Sequence, residues 1–494
     1  MRSTLRATSG HLLTTLGLTT CFLLSNFVLG QTIGKAQQAG SAGVIPGSND
    51  QYLVEFNGNA VPKDLPTRIA RLGGRIVNNI PEIGVALVAD LTPDAAASLA
   101  TQTDVKDVTV DEFMTYADKS QRKPIRLAAG PRPLSASDPE SAFFYPFQWD
   151  KRAIHADRAW QAGFHGSPDV RLAMIDTGID PTHPELAGLI DTNSSISLCP
   201  NENPLVQQEF PGYPAWTDLY GHGTATAAIA TSNSNLLAGV TSRTTLIAIK
   251  ALGLVPCRAS SVLLGILYAA QQGADVINIS AGAFPVSRRA SRNFTHVDHL
   301  AMVYALQHGV SAIVVAAGNE AADLDHAGNV VAELCDVPGV ICVSATGPTN
   351  SGPDYLGPFA NVDSPSFYTN FGSSAINVAA PGGNFSFDSA GNIIGDSYIF
   401  TACATTDREF DAGGNLVPGF CTGNGITTAG GIGTSFAAPE VSGLAALLVS
   451  RFGHGQAAQV RAAIEKSADD LGRTGVDPFY GKGRINVARA LGLE

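Results

Sequence analysis

The sequence predicts an α/β protein of three layers, with a mostly parallel central sheet between helices, preceded by a small α+β domain of ferredoxin-like order. Three observations carry this. Across residues 144–494, continuous apolar strands alternate with helical stretches, the pattern of a parallel sheet covered on both faces. Residues 51–116 follow a β-α-β-β-α-β order. The composition, 45% hydrophobic and 15% charged with 52 glycines, suits a compact chain with many tight turns rather than a disordered one.

The N-terminus predicts export. Arg2 and Arg6 precede an apolar segment from Leu12 to Leu29, and Val28-Leu29-Gly30 resembles a small-residue cleavage site. Residues 1–30 are therefore expected to be a signal peptide and the protein to be secreted. Thr and Ser interrupt the apolar segment, which argues against a membrane anchor. No later run reaches the roughly 18 apolar residues of a membrane span. The formal net charge of -12 gives no bulk attraction for nucleic acid or anionic membrane. Residues 31–50 are small and polar, a flexible lead.

The small domain begins with a strand at Tyr52 to Phe56 and a helix from Pro62 to Leu72. Strands follow at 73–77 and 84–88, then a helix from Thr92 to Leu99 and a strand from Val105 to Val110. It holds no Cys or His and no evident catalytic cluster, so it reads as a folding or binding module. Residues 117–143 carry Lys119, Arg122, Lys123, Pro124, Pro131 and Pro133 with few apolar positions, a linker and a zone open to cleavage.

In the large domain, Val170 to Ile175 reads as a buried strand that ends at Asp176. Further strands are expected at 246–251, 276–280 and 312–317, with helices at 260–272 and 298–308. In such sheets, functional groups gather beyond the carboxyl ends of the strands. Asp176 and Asn319 both stand there.

Two further pieces complete the site. Gly221-His222-Gly223-Thr224 opens a small-residue run, placing His222 at a helix start between glycines that allow close backbone approach. Gly433-Thr434-Ser435 leads into an apolar run at helical spacing. Ser435 would thus sit near a helix N-terminus, where unpaired N–H groups favour a developing oxyanion. Each residue alone has an ordinary alternative: Ser435 as a helix cap, Asp176 and Asn319 as turn formers. Asp, His and Ser in this chain order, with an Asn able to donate to an oxyanion, fit a catalytic triad.

On the motifs 173–180 (Ala-Met-Ile-Asp-Thr-Gly-Ile-Asp), Gly221-His222-Gly223-Thr224, Ala317-Gly318-Asn319 and 433–439 (Gly-Thr-Ser-Phe-Ala-Ala-Pro), the chain resembles the subtilisin-like serine proteases over roughly residues 145 to 494. The resemblance implies that Ser435 is the nucleophile, His222 its base, Asp176 the group that orients His222, and Asn319 the oxyanion donor. It implies that Ser280-Ala281-Gly282 and Ala316-Ala317-Gly318 wall the first specificity pocket. Their small side chains would leave room for a large apolar residue. Residues 51–116 look like the family's inhibitory propeptide, to be cut near Tyr116 or within the linker. The expected partners are protein or peptide substrates and the chain's own propeptide, and the mature protein is expected to be a monomer. No cofactor is required for the chemistry. A structural calcium ion stays open: Glu185 falls where relatives place a calcium-binding carboxylate, but the loop 232–235 beside it is shorter than in calcium-binding relatives.

The chain departs from the family at Thr226 and Ala228, where Val and Gly are common, and at Phe436, where Met is common. A Gly- and polar-rich insertion spans 381–430 and holds Cys403 and Cys421; a disulfide-pinned surface loop near the cleft is expected. Cys21 would leave with the signal peptide, and an even six cysteines remain. Sequence does not fix their pairing. The local choices are Cys335 with Cys342 and Cys403 with Cys421, leaving Cys199 with Cys257. A catalytically dead binding protein on the same fold is the alternative function. An esterase of the α/β-hydrolase type conflicts with Ala437 two positions after the serine and with the chain order.

Overall fold

The computed structural model describes residues 51–114, 122–124, 138–280, 285–287, 292–326, 328, 330–332, 334–352 and 357–494. The expected signal peptide, the flexible lead and most of the linker lie outside the described residues, as do Ala281 and Gly282.

A seven-stranded sheet forms the centre. Its order is Val378–Pro381, Ile341–Thr346, Ala312–Ala316, Val276–Ile279, Arg171–Asp176, Thr245–Lys250 and Ile196–Ser197. Every pairing in it is parallel. The strand Arg171–Asp176 shows why its sequence is apolar throughout. Leu172 and Met174 face a core that includes Leu444 and Leu448 of the long helix Thr434–Phe452. Ala173 and Ile175 face the opposite core with Val262, Leu263 and Ile266 of the helix Ser260–Gln271. Both faces are covered, so alternation disappears and the strand is buried on either side. The expected three-layer arrangement is the one observed.

The small domain has the expected element order. Its antiparallel sheet runs Arg75–Ile80, Val85–Ala89, Gln51–Phe56 and Val105–Val110. One face packs on its own helices through Leu65, Ile69 and Leu99. Leu53, Ile80, Ile83, Val85 and Leu87 belong instead to the core of the large domain's helices Ser260–Gln271 and Arg292–Gln307. Polar contacts fix the same junction. The Asp111 carboxylate accepts from Ser260 N–H at 2.9 Å and Ser260 Oγ at 2.6 Å, capping the helix Ser260–Gln271 from outside. Burial pushes the Asp111 carboxyl up from its ordinary value, against these hydrogen bonds. Two short strands extend the connection: Phe113–Met114 pairs with Cys257–Arg258, and Arg122–Pro124 pairs with Thr428–Gly431.

The insertion is more ordered than a loop. It forms two hairpins, Asn384–Phe387 with Ile393–Ser397 and Arg408–Phe410 with Leu416–Pro418. Each turns on an Asp whose Oδ1 accepts from two following N–H groups: Ala390 and Asn392 for Asp388, Gly413 and Asn415 for Asp411. All three expected disulfides are formed: Cys199–Cys257, Cys335–Cys342 and Cys403–Cys421. Among the described residues, no helix is long and apolar enough to cross a membrane.

Candidate active site

Asp176 ends its strand at the carboxyl edge of the sheet and is fully buried. His222 opens the helix His222–Ala230 and its Nδ1 lies 2.8 Å from Asp176 Oδ1. A carboxylate only accepts, so Nδ1 carries the hydrogen and Nε2 is the basic nitrogen. Thr177 N–H donates to the same Oδ1 at 2.7 Å. Gly223 is required by crowding: a Cβ there would stand 2.1 Å from Gly178 O and 3.1 Å from Asp176 Cβ.

The turn into this helix hangs on Asp218, which the sequence reading did not single out. Its Oδ1 accepts from Thr177 Oγ1, Tyr220 N–H and Gly221 N–H, and its Oδ2 from Thr224 N–H and Thr224 Oγ1. Burial pushes its carboxyl up, opposing the hydrogen bonds that favour the charged form. The signal was Asp218 four residues before His222, ordinary for a turn and so uninformative alone.

Ser435 is the second residue of the helix Thr434–Phe452, with Gly433 before it at a φ of 153°. A Cβ at Gly433 would lie 2.9 Å from Ser435 Oγ and 3.6 Å from Asn319 Nδ2. Both atoms therefore border one small space, which only glycine leaves open. Asn319 Oδ1 accepts from Thr434 N–H and Thr434 Oγ1, each at 2.9 Å. Thr434 Oγ1 in turn accepts from Gly318 N–H at 3.1 Å. With its carbonyl oxygen held, the Asn319 amide presents its N–H groups on the Ser435 side. The His222 ring stands edge-on to Phe436, centroids 6.1 Å apart, so the imidazole lies beside the residue after the serine. Asp176 and His222 thus form one contact pair, Ser435 and Asn319 border one space, and the ring contact of His222 with Phe436 sets the two pairs side by side.

Ser280 follows the strand Val276–Ile279, and Ala316 ends the neighbouring strand Ala312–Ala316 with Ala317 and Gly318 just beyond it. All four are buried. Asn278 Nδ2 donates to Ser280 Oγ, and Ser442 Oγ donates to Asn278 Oδ1, each at 2.8 Å, tying this strand end to the serine helix.

The residues at Glu185 do not fit calcium. Its Oε2 accepts from Ser232 Oγ at 2.6 Å and Asn235 N–H at 3.1 Å, and its Oε1 from Leu236 N–H at 2.6 Å. Donor hydrogens surround the carboxylate where a cation would need oxygen lone pairs. Among the described residues, no group of three or more His, Cys, Asp and Glu could hold a metal ion. His183 bonds the backbone instead, with Nε2 at 3.0 Å from Thr427 O.

The insertion braces the histidine side of the site. Thr405 N–H and Oγ1 donate to Asp180 Oδ2, Thr406 Oγ1 donates to Asp218 O, and Arg408 N–H donates to Leu219 O, all at 2.7 Å. Thr226, one of the departures, has its Oγ1 3.1 Å from both Asp176 Oδ2 and Gly223 O.

A buried Asp–His pair beside a helix that opens Gly-Thr-Ser, at the carboxyl edge of a parallel sheet, defines a serine endopeptidase. The sequence profile of the Subtilase family matches residues 167–483, and the chain belongs to that family. It is 29% identical over 362 residues to Thermitase of Thermoactinomyces vulgaris, covering 72% of this chain and 99% of that one. It is 28% identical over 361 residues to the Thermophilic serine proteinase of Bacillus sp. (strain AK1), covering 72% and 70%. Among solved structures, the Epidermin Leader Peptide Processing Serine Protease of Staphylococcus aureus shares the fold with a TM-score of 0.63 at 22% identity, over 90% of this chain and 99% of that one. The protein acts on protein or peptide substrates.

Proposed function

We propose that the chain is the precursor of a secreted serine endopeptidase that matures by cutting itself. Ser435 Oγ attacks the scissile carbonyl carbon while His222 Nε2 takes its proton. Asp176 holds the imidazole tautomer and stabilises the imidazolium. Asn319 Nδ2 and the Ser435 N–H donate to the oxyanion. The intermediate collapses as His222 returns the proton to the leaving amine, and water then releases the acyl group by the same steps. Ser280 to Gly282 and Ala316 to Gly318 line the first specificity pocket and admit a large apolar side chain. The observation that carries this reading is the 2.8 Å contact of His222 Nδ1 with Asp176 beside the helix that begins at Thr434.

Residues 1–30 direct export and residues 51–116 act as the inhibitory propeptide. The shared core and the Asp111 cap support that role, since both join the small domain to the large one. The cut falls near Tyr116 or within 117–143, and the mature enzyme is a monomer. Mass spectrometry of the purified secreted protein after reaction with a fluorophosphonate probe tests all of this together. The probe is expected on Ser435, with a mature N-terminus after residue 116. Labelling elsewhere, or an uncut chain with full activity, overturns the proposal. Ser435→Ala should lower kcat by about 10⁶.

A further inference from the structure

We propose that the Thr226 hydroxyl is a positioning residue for the catalytic base: it holds the Asp176 carboxylate by the oxygen that His222 does not use. This rests on the triad reading above and adds a residue to it. Asp176 Oδ1 is occupied by His222 Nδ1 and Thr177 N–H. Oδ2 accepts from Thr226 Oγ1 at 3.1 Å, and among the described residues no other donor reaches it. Both side chains are fully buried, so no bulk water replaces the hydroxyl. Thr226 lies one turn beyond His222 on the same helix, so one rigid element carries both groups that meet the carboxylate.

The hydroxyl has one hydrogen and two acceptors in reach, since Gly223 O also lies 3.1 Å away. A carboxylate is the stronger acceptor, because a charge-assisted hydrogen bond is about twice as strong as a neutral one. Threonine at this place therefore does two things. It stops the carboxylate rotating about its Cβ–Cγ bond, and it shares the negative charge that would otherwise fall wholly on the imidazolium. Among the described residues, the carboxylate bonded to the His222 ring is Asp176 from the strand Arg171–Asp176, while Asp218 accepts from Gly221 N–H in the turn before the histidine helix. Lys250, paired in register with Asp176, sends its ammonium away to Glu202 and Thr217 O. The serine helix contributes Ser435 and Phe436, neither of which titrates near neutrality.

Thr226→Val removes the hydroxyl at nearly constant shape. The bare carboxylate should retain the imidazolium to higher pH, moving the acid limb of kcat/KM upward by about half to one pH unit. The looser carboxylate should lower kcat about tenfold, with KM within about twofold. Thr226→Ser should restore both. If the hydroxyl served Gly223 O instead, Thr226→Val would keep the wild-type acid limb, and the inference would be wrong. It would also be wrong if the Ser and Val variants were impaired alike. Should Thr226→Val not fold, Thr226→Ala against Thr226→Ser differs by the same hydroxyl and carries the same test. Fluorophosphonate labelling of the wild type separates the two levels. No label on Ser435 defeats the triad itself, whereas a labelled Ser435 with an unmoved acid limb defeats only the role of Thr226.

Discussion

The side-chain oxygen of Asn319 accepts two hydrogen bonds from Thr434, one from its N–H and one from its hydroxyl, both at 2.9 Å. Thr434 immediately precedes Ser435, so the proposed oxyanion donor is aligned by the residue beside the proposed nucleophile. An amide held by its oxygen cannot flip, and its N–H groups stay in place before the charge develops. Asn319→Ala is expected to lower kcat by about 10² to 10³ with little change in KM. Thr434→Val keeps the shape and releases the amide, and a smaller fall of about tenfold is expected. Steady-state kinetics at a titrated active-site concentration measure both. Equal KM and kcat losses in Thr434→Val would mean that it disturbs binding instead.

Glu185 makes a prediction about chelators. Its carboxylate is filled by the Ser232 hydroxyl and two backbone N–H groups, so this loop has no cation to lose. The Tm of Ser435→Ala protein, chosen to prevent self-digestion, should stay within about 2 °C on adding EDTA. Glu185→Ala should cost about 3 kcal/mol, because it strands buried donors, and calcium should not restore the loss. A large EDTA effect that disappears in Glu185→Ala would place a cation in this loop after all.

A buried trio under the serine helix predicts how stability follows pH. Lys151 Nζ lies 2.6 Å from Glu440 Oε1 and 3.1 Å from Asp150 Oδ2, with all three side chains out of solvent. One ammonium faces two carboxyl groups. Burial, with Asp150 nearby, pushes Glu440 well above its ordinary value despite the lysine. A raised carboxyl pKa means the folded state holds a proton the unfolded chain has released. Its stability contribution is full below about pH 4.5 and is lost as pH rises through the raised folded value. Glu440→Gln should remove that dependence, reducing the slope by up to about 1.4 kcal/mol per pH unit. Urea unfolding of the Ser435→Ala background at several pH values reads this out. Lys151→Met should instead cost about 3 to 5 kcal/mol, since it leaves a buried negative charge unpaired.

Phe436 predicts resistance to peroxide. It follows Ser435 and packs with Trp149, Ala225, Ile229 and Ile399. No thioether stands there to oxidise, and Met174 and Met302 are buried. Activity of the mature enzyme should persist through a peroxide treatment that fully converts the methionine of a free reference peptide in the same solution to its sulfoxide. Inactivation with an oxidised peptide around residue 435 in the mass spectrum would contradict this.

The main sheet and the four-residue cluster were legible because each rests on a local signal. Arg171 to Asp176 is apolar on both faces, and Gly221-His222-Gly223 and Gly433-Thr434-Ser435 announce helix starts that leave little room for side chains. The even cysteine count implied disulfides, and the pairing that the sequence left open is the local one, Cys335 with Cys342 and Cys403 with Cys421, with Cys199 joined to Cys257. What escaped depends on partners far apart in sequence. Glu440 is 289 residues from Lys151, and neither has a neighbour in the chain that betrays the pairing. The Thr226 contact with Asp176 spans 50 residues and is invisible to periodicity. The two hairpins of the insertion were missed because glycine and polar residues masked strands of three to five residues.

The strand Thr428–Gly431 leads directly to the serine, and both its edges are taken: Ile399–Ala402 pairs on one and Arg122–Pro124 on the other. An extended polypeptide arriving from solution can use that second edge only by evicting a stretch of its host's own chain. A covalently tethered rival has an effective concentration of about the millimolar order, far above most free peptides. Severing the tether would let the rival dilute away, converting a contest decided by connectivity into one decided by ordinary affinity.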